Sequence, residues 1–137
     1  MTTQERVDPG RIAAVGCCFG AVSSWSWRAR GRMSKRSSGF HPGLSSPRPH
    51  DSRNIAGQVL MCIGADDPIV PLEARAGFEQ EMRDHGVDWQ MNVYRGAKHR
   101  FTDPYAAAAG APALEYNERV AARSWRAMLD LFAEALS

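Results

Sequence analysis

The sequence predicts an α/β fold built on a mostly parallel sheet with flanking helices. Three observations carry this prediction. Short apolar runs each stop at a glycine, helical stretches with one apolar face lie between and after them, and turn residues mark the junctions. The chain has 137 residues, which is one domain's worth of sequence.

Each element follows in order. Asp8-Pro9-Gly10 is turn chemistry, and Arg11 to Val15 is a short buried strand stopping at Gly16. A possible strand lies near Ser38–Phe40, and Ser45 to Pro49 is a loop. Val59 to Ile63 is an uninterrupted apolar run closed by Gly64. Pro71 to His85 fits a helix: Pro71 suits the first turn, Phe78 and Met82 share a face, and Gly86 supplies the stop. Trp89 to Tyr94 alternates large and polar groups and ends near Gly96. Ala113 to Leu136 is the clearest helix, with an apolar stripe of Ala121, Trp125, Met128, Leu129, Phe132 and Leu136. Three firm strands are few for such a sheet, so we expect it to be incomplete on its N-terminal side.

Composition narrows the function classes. The hydrophobic fraction is 44% and the charged fraction 23%, which argues against wholesale disorder. No apolar run reaches the roughly 18–20 residues of a membrane span. Met1 to Asp8 is polar and lacks a secretory core, so a reducing cytoplasm is the expected location. Cys17, Cys18 and Cys62 make neither a disulfide framework nor a metal-ligand spacing. The net charge of +2 is unevenly spread. Ala21 to Arg53 holds seven basic residues and one acid, so the rest of the chain is mildly acidic.

The chemistry gathers at the ends of the strands. Gly16-Cys17-Cys18-Phe19-Gly20 has the form G-x-C-x-G directly after a strand, the cysteine version of a nucleophile elbow. Flanking glycines permit a sharp turn, and a thiol at a helix N-terminus is favoured as thiolate. Alone, the pentapeptide more often marks a packed small residue than a nucleophile. Gly64 to Pro71 adds an acid, Asp66 or Asp67, past the end of the next firm strand. Tyr94 to Phe101 adds His99 past the last one. The acid could instead cap the following helix, and His99 could be a surface loop residue. Ligands of open α/β sheets bind beyond the C-terminal strand ends, and the order nucleophile, acid, histidine is that of α/β-hydrolases. His41 and His85 carry no argument for catalysis, since loop and helix-end roles suffice for them.

Taken together, Arg11 to Gly20, Gly39-Phe-His-Pro-Gly-Leu44, Cys62 to Pro71 and Tyr94 to Phe101 resemble the dienelactone hydrolase family. That family is an α/β-hydrolase branch with a Cys–Asp–His triad. The resemblance implies the C-terminal portion of an α/β-hydrolase fold, from the nucleophile elbow to the last helix, as one partial domain over 1–137. It assigns Cys18 as nucleophile, His99 as general base and Asp67 as orienting acid. Asp67 rather than Asp66 fits the family's D-x-x-V-P as Asp67-Pro68-Ile69-Val70-Pro71. The N–H of Phe19 would hold the oxyanion, Cys17 looks structural, and neither a cofactor nor a metal is called for. The implied reaction is hydrolysis of a lactone or small carboxylic ester through a thioester.

Three departures stand out. Family members are longer at the N-terminus, where the first strands, a second oxyanion donor and a glutamate near the thiol would lie. Losing one such donor typically costs about 10²–10³ in rate. Arg100 stands where a small residue is usual after the histidine, and we expect it to crowd the pocket. Residues 21–38 form a basic segment with Arg28, Arg30, Arg32, Lys35 and Arg36 and no acid, so we expect it to stay out of the buried sheet. With synonymous codons Ala21 to Ser38 reads in another frame as GVFLELARAGADVKAVV, an amphipathic helix and an apolar strand. We read 21–38 as a local reading-frame error.

Two rival functions remain. Trp25 and Trp27 among arginines could bind single-stranded nucleic acid by stacking and phosphate contact. A charge run is usually solvated, however, and no nucleic-acid fold surrounds this one. The chain could instead be an inactive fragment that folds only with a partner completing its sheet.

Overall fold

A computed structural model describes residues 8, 11–18, 36–44 and 49–136. Its sheet has four parallel strands in chain order: β1 Ala13–Cys17, β2 Arg36–Phe40, β3 Gln58–Gly64 and β4 Asp88–Tyr94. Helix α1, Leu72–Asp84, joins β3 to β4, and helix α2, Glu118–Leu136, closes the chain. No helix among the described residues is long and apolar enough to cross a membrane.

Strand β3 is buried along almost its whole length, and alternation divides its side chains between two cores. Val59, Met61 and Ile63 pack with Phe78 and Met82 of α1, together with Leu44, Ile55, Val70 and Val87. Leu60 and Cys62 face the other way, onto Phe40, Phe101, and Val120, Met128 and Leu131 of α2. Each large side chain so buried contributes about 1.5–3 kcal/mol. The apolar run at 59–63 was therefore a sound sign of a strand covered on both faces.

Strand β2 corrects one expectation. Its residues Arg36, Ser37 and Ser38 belong to the basic segment, yet they lie in the middle of the sheet, between β1 and β3. Ser37 is 2% exposed and Ser38 1%. The backbone ladder bonds this strand to both neighbours. The rest of the basic segment, with Trp25 and Trp27, lies outside the described residues.

Helix ends follow the expected chemistry, with small differences. Pro71 sits immediately before α1, and Gly86 follows it at φ 63°. Strand β1 runs two residues further along the chain than expected, through Gly16 to Cys17. Helix α2 begins at Glu118 rather than Ala113, because Asn117 Oδ1 accepts the Val120 N–H at 3.1 Å and opens the helix there. The inward face of α2 is also rotated. Val120, Ser124, Met128 and Leu131 are buried, whereas Trp125 and Leu129 are half exposed. Ser124 tolerates the interior because its hydroxyl donates to the Ala121 carbonyl at 3.0 Å.

Candidate active site

Cys18 is the first residue after β1, and its φ of 50° lies in the left-handed region that disfavours a side chain. Its N–H donates to the Phe40 carbonyl at 2.9 Å, so the end of β2 holds the elbow in place. Phe19, the expected oxyanion donor, lies outside the described residues. Two further non-glycine residues share the left-handed conformation, His41 at 40° and Arg100 at 57°. All three sit beyond strand ends, where strain gathers at functional sites.

The acid is held by the loop after β3. Asp67 Oδ1 accepts the Ile69 N–H at 2.8 Å, leaving Oδ2 free to face inward. Asp66 has a different job: its Oδ2 accepts the Gly96 N–H, and its own N–H donates to Ala97 O, both at 3.0 Å. These bonds tie the acid's loop to the histidine's loop. Gly64 is obligatory for that approach, because a Cβ there would stand 2.2 Å from the Ala97 carbonyl oxygen. Arg75 of α1 clamps the same loop by donating to the carbonyls of Gly64, Ala65 and Val70 at 3.0–3.2 Å.

His99 arrives from the loop after β4, pinned by backbone bonds to Ala113 and Glu115 at 3.1 Å. Its Nδ1 donates to Asp67 Oδ2 at 2.8 Å, and its Nε2 faces Cys18 Sγ at 3.2 Å. Histidine and acid are both buried, while Cys18 is partly open. Burial alone would pull the imidazole's pKa down, but its hydrogen bonds to Asp67 and Cys18 and their charges outweigh that and raise it. The Asp67 bond fixes the tautomer and turns Nε2 toward sulfur. Such a row of thiol, imidazole and carboxylate can generate a thiolate and return its proton.

The other cysteines differ. Cys62 is buried in the core, and burial pushes its thiol up to about 12, so it is inert. Cys17 is exposed rather than packed. Arg100 pairs its guanidinium with Asp103.

His41 is the residue that sequence reasoning set aside. It follows β2 directly, its N–H donates to Cys62 O at 2.8 Å, and its ring lies edge-on to those of His99 and Phe101, each at 5.2 Å. Nε2 meets Thr102 Oγ1 at 2.8 Å. Nδ1 is buried without a hydrogen-bond partner among the described residues. Burial and the neighbouring His99 hold its pKa down at about 4. Its position at the C-terminal end of a parallel strand was the available signal. Arg75 and Thr102 had none.

A model described as the dienelactone hydrolase family matches residues 1–136. The chain belongs to the dienelactone hydrolase family. A solved structure of a dienelactone hydrolase-like promiscuous phosphotriesterase from metagenomic libraries aligns at 40% identity with a TM-score of 0.92, covering 98% of this chain and 56% of that one. A second structure, named m3DLH, aligns at 42% identity with a TM-score of 0.93 and the same coverage. Among curated proteins, Hydrolase tropI of Talaromyces stipitatus is 30% identical over 91 residues, which is 66% of this chain and 35% of that protein. This dienelactone hydrolase family chain thus spans about half the length of the two solved structures and about a third of the curated relative.

Proposed function

We propose that this chain carries the catalytic centre of a hydrolase that opens a lactone or cleaves a small carboxylic ester by acyl transfer to Cys18. The observation that carries the reading is the unbroken row from Cys18 Sγ through His99 to Asp67, at 3.2 and 2.8 Å. Each of the three residues comes from the end of a different strand.

His99 Nε2 takes the Cys18 thiol proton as sulfur attacks the carbonyl carbon. The carbonyl oxygen becomes an oxyanion, for which the Phe19 N–H is the proposed donor. Asp67 keeps the imidazole oriented and stabilises its cation without taking the proton. The carbon–oxygen bond to the leaving alkoxide breaks, the alkoxide receives the proton from His99, and a thioester remains. In a lactone the alcohol so formed stays tethered to the acyl group. A water then gives its proton to His99 and attacks the thioester, and sulfur departs to regenerate the pair. A free thiol nucleophile suits a reducing compartment, which supports a cytoplasmic setting.

Hydrolysis of an activated aryl ester and of a dienelactone tests the reading. Cys18→Ala should abolish turnover, while Cys17→Ala, which removes the adjacent exposed thiol, should keep it. Full activity in the Cys18 variant would remove the nucleophile assignment.

A further inference from the structure

Cys18, His41 and His99 each present one ligand-type atom, and the three atoms lie within 4.8 Å of one another. We propose that Cys18 Sγ, His99 Nε2 and His41 Nδ1 form a three-ligand site for a borderline-soft divalent ion of the zinc type, and that filling it switches hydrolysis off reversibly. The inhibitory consequence rests on the hydrolase reading above; the binding itself does not.

The donor set argues for the class of ion. One thiolate and two imidazoles suit zinc and its neighbours, whereas calcium and magnesium demand oxygen. Zinc–sulfur and zinc–nitrogen lengths of about 2.3 and 2.0–2.1 Å at a tetrahedral angle set a sulfur–nitrogen separation of about 3.5 Å. Cys18 Sγ and His99 Nε2 already stand 3.2 Å apart. The ligand atom of His41 lies within 4.8 Å of both, and drawing it in to a similar separation completes the triangle, leaving a fourth position for water.

The surroundings are those of a metal centre. Ligating histidines usually bond their second nitrogen to an oxygen, which fixes the ring. His99 does so through Nδ1 to Asp67, and His41 through Nε2 to Thr102. The nitrogen left over on His41 is buried and has no partner among the described residues. The hydrolytic row uses Cys18, His99 and Asp67 and assigns nothing to that atom. The ion displaces one proton from the Cys18–His99 pair, which leaves to solvent. The thiolate and the Asp67 carboxylate then balance its two positive charges. Sulfur and Nε2, both needed for hydrolysis, are occupied together.

Zinc titration by calorimetry, without any ester present, is the primary test. One ion should bind per chain. His41→Gln and Cys18→Ser should each weaken binding at least about a hundredfold, and Thr102→Val by about 10- to 100-fold. Cys17→Ala should leave affinity unchanged. Unaltered affinity in the His41 or Cys18 variant, or loss confined to Cys17→Ala, would overturn the site. Cobalt(II) added to the unsubstituted protein provides a second reading that needs no variant. A tetrahedral spectrum with a thiolate-to-cobalt band supports the site, and its absence sinks it. Should the chain bind zinc yet hydrolyse no ester, the site stands and the hydrolase reading falls. If it hydrolyses ester and zinc neither binds nor inhibits, the site falls and the hydrolase reading stands.

Discussion

Strands β2 and β3 lie side by side in the centre of one sheet, in register from Arg36 beside Gln58 to Phe40 beside Cys62. Both are buried, but their compositions are opposed. β3 reads Gln-Val-Leu-Met-Cys-Ile-Gly and β2 reads Arg-Ser-Ser-Gly-Phe. The first is what a parallel strand covered on both faces is expected to be. The second is held by backbone bonds to β1 and β3, with little apolar surface of its own until Phe40. Strand β2 thus contributes one large side chain, Phe40, to the core beside its ladder bonds, whereas β3 contributes side chains to both cores. Each strand also hands a residue to the site, Asp67 soon after β3 and His41 directly after β2.

The widest expected gap is at the acid. Asp67→Asn keeps the shape of the side chain but removes the charge that orients His99, and kcat should fall by about 10⁴-fold. Steady-state kinetics on the aryl ester measure this, and a loss under tenfold would detach the end of β3 from the chemistry. Within the strands, Leu60→Ala should cost about 2–5 kcal/mol in urea unfolding, because it opens a cavity between β3 and α2. A much smaller cost would mean that β3 is no better packed than its neighbour.

Acid should act through the end of β2. His41 has a folded pKa of about 4 against an ordinary 6.5, so the unfolded chain binds a proton between those values that the folded chain refuses. Stability should decline as pH falls from 6.5 to about 4, by roughly 3 kcal/mol in all. His99 has the opposite sign. Its pKa is raised, so its contribution is complete below 6.5 and is lost only as pH rises through its folded value. His41→Gln should flatten the acid limb of a stability–pH curve; an unchanged limb would place the proton elsewhere.

The smallest effect is a gain. Ser38 is 1% exposed, on the face of β2 that also carries Phe40, and its hydroxyl has no partner among the described residues. Ser38→Ala removes that buried donor and should stabilise by about 1 kcal/mol, read as a higher urea midpoint. The alternative reading frame of residues 21–38 ends in two valines over codons 36 to 38, where the sheet buries Ser37 and Ser38. The nucleotide sequence decides that question directly. Codons that do not yield the apolar string in a shifted frame would leave β2 as a polar strand of the protein's own design.

Much of the site was legible because its signals are local. A glycine-flanked cysteine after an apolar run, an acid before Ile69-Val70-Pro71 and a histidine after Tyr94 each follow a strand, and strands that parallel one another end on one side of the sheet. Other parts were hidden for physical reasons. The stripe of α2 was misread because Trp125 and Leu129 dominate any hydrophobic average, while the buried Ser124 is accepted through a bond to its own helix. His41 looked like a loop residue because nothing along the chain says that its ring packs against that of His99, within reach of Cys18. Arg75 reads as an ordinary helix cation, although its three carbonyl contacts hold the acid's loop.

The amino-acid sequence by itself determined the α/β class, the firm strands and helices within a few residues, and which cysteine, acid and histidine stand at strand ends. Periodicity and turn chemistry act over a few residues, so they survive in a linear string. Tertiary structure alone decided that Arg36 and Ser37 join the sheet, that Asp66 binds Gly96 while Asp67 binds His99, and that His41 completes a cluster with Cys18. Those outcomes depend on contacts between residues far apart in the chain. Only the register of neighbouring strands, and the close approach that Gly64 permits, brings them within bonding distance.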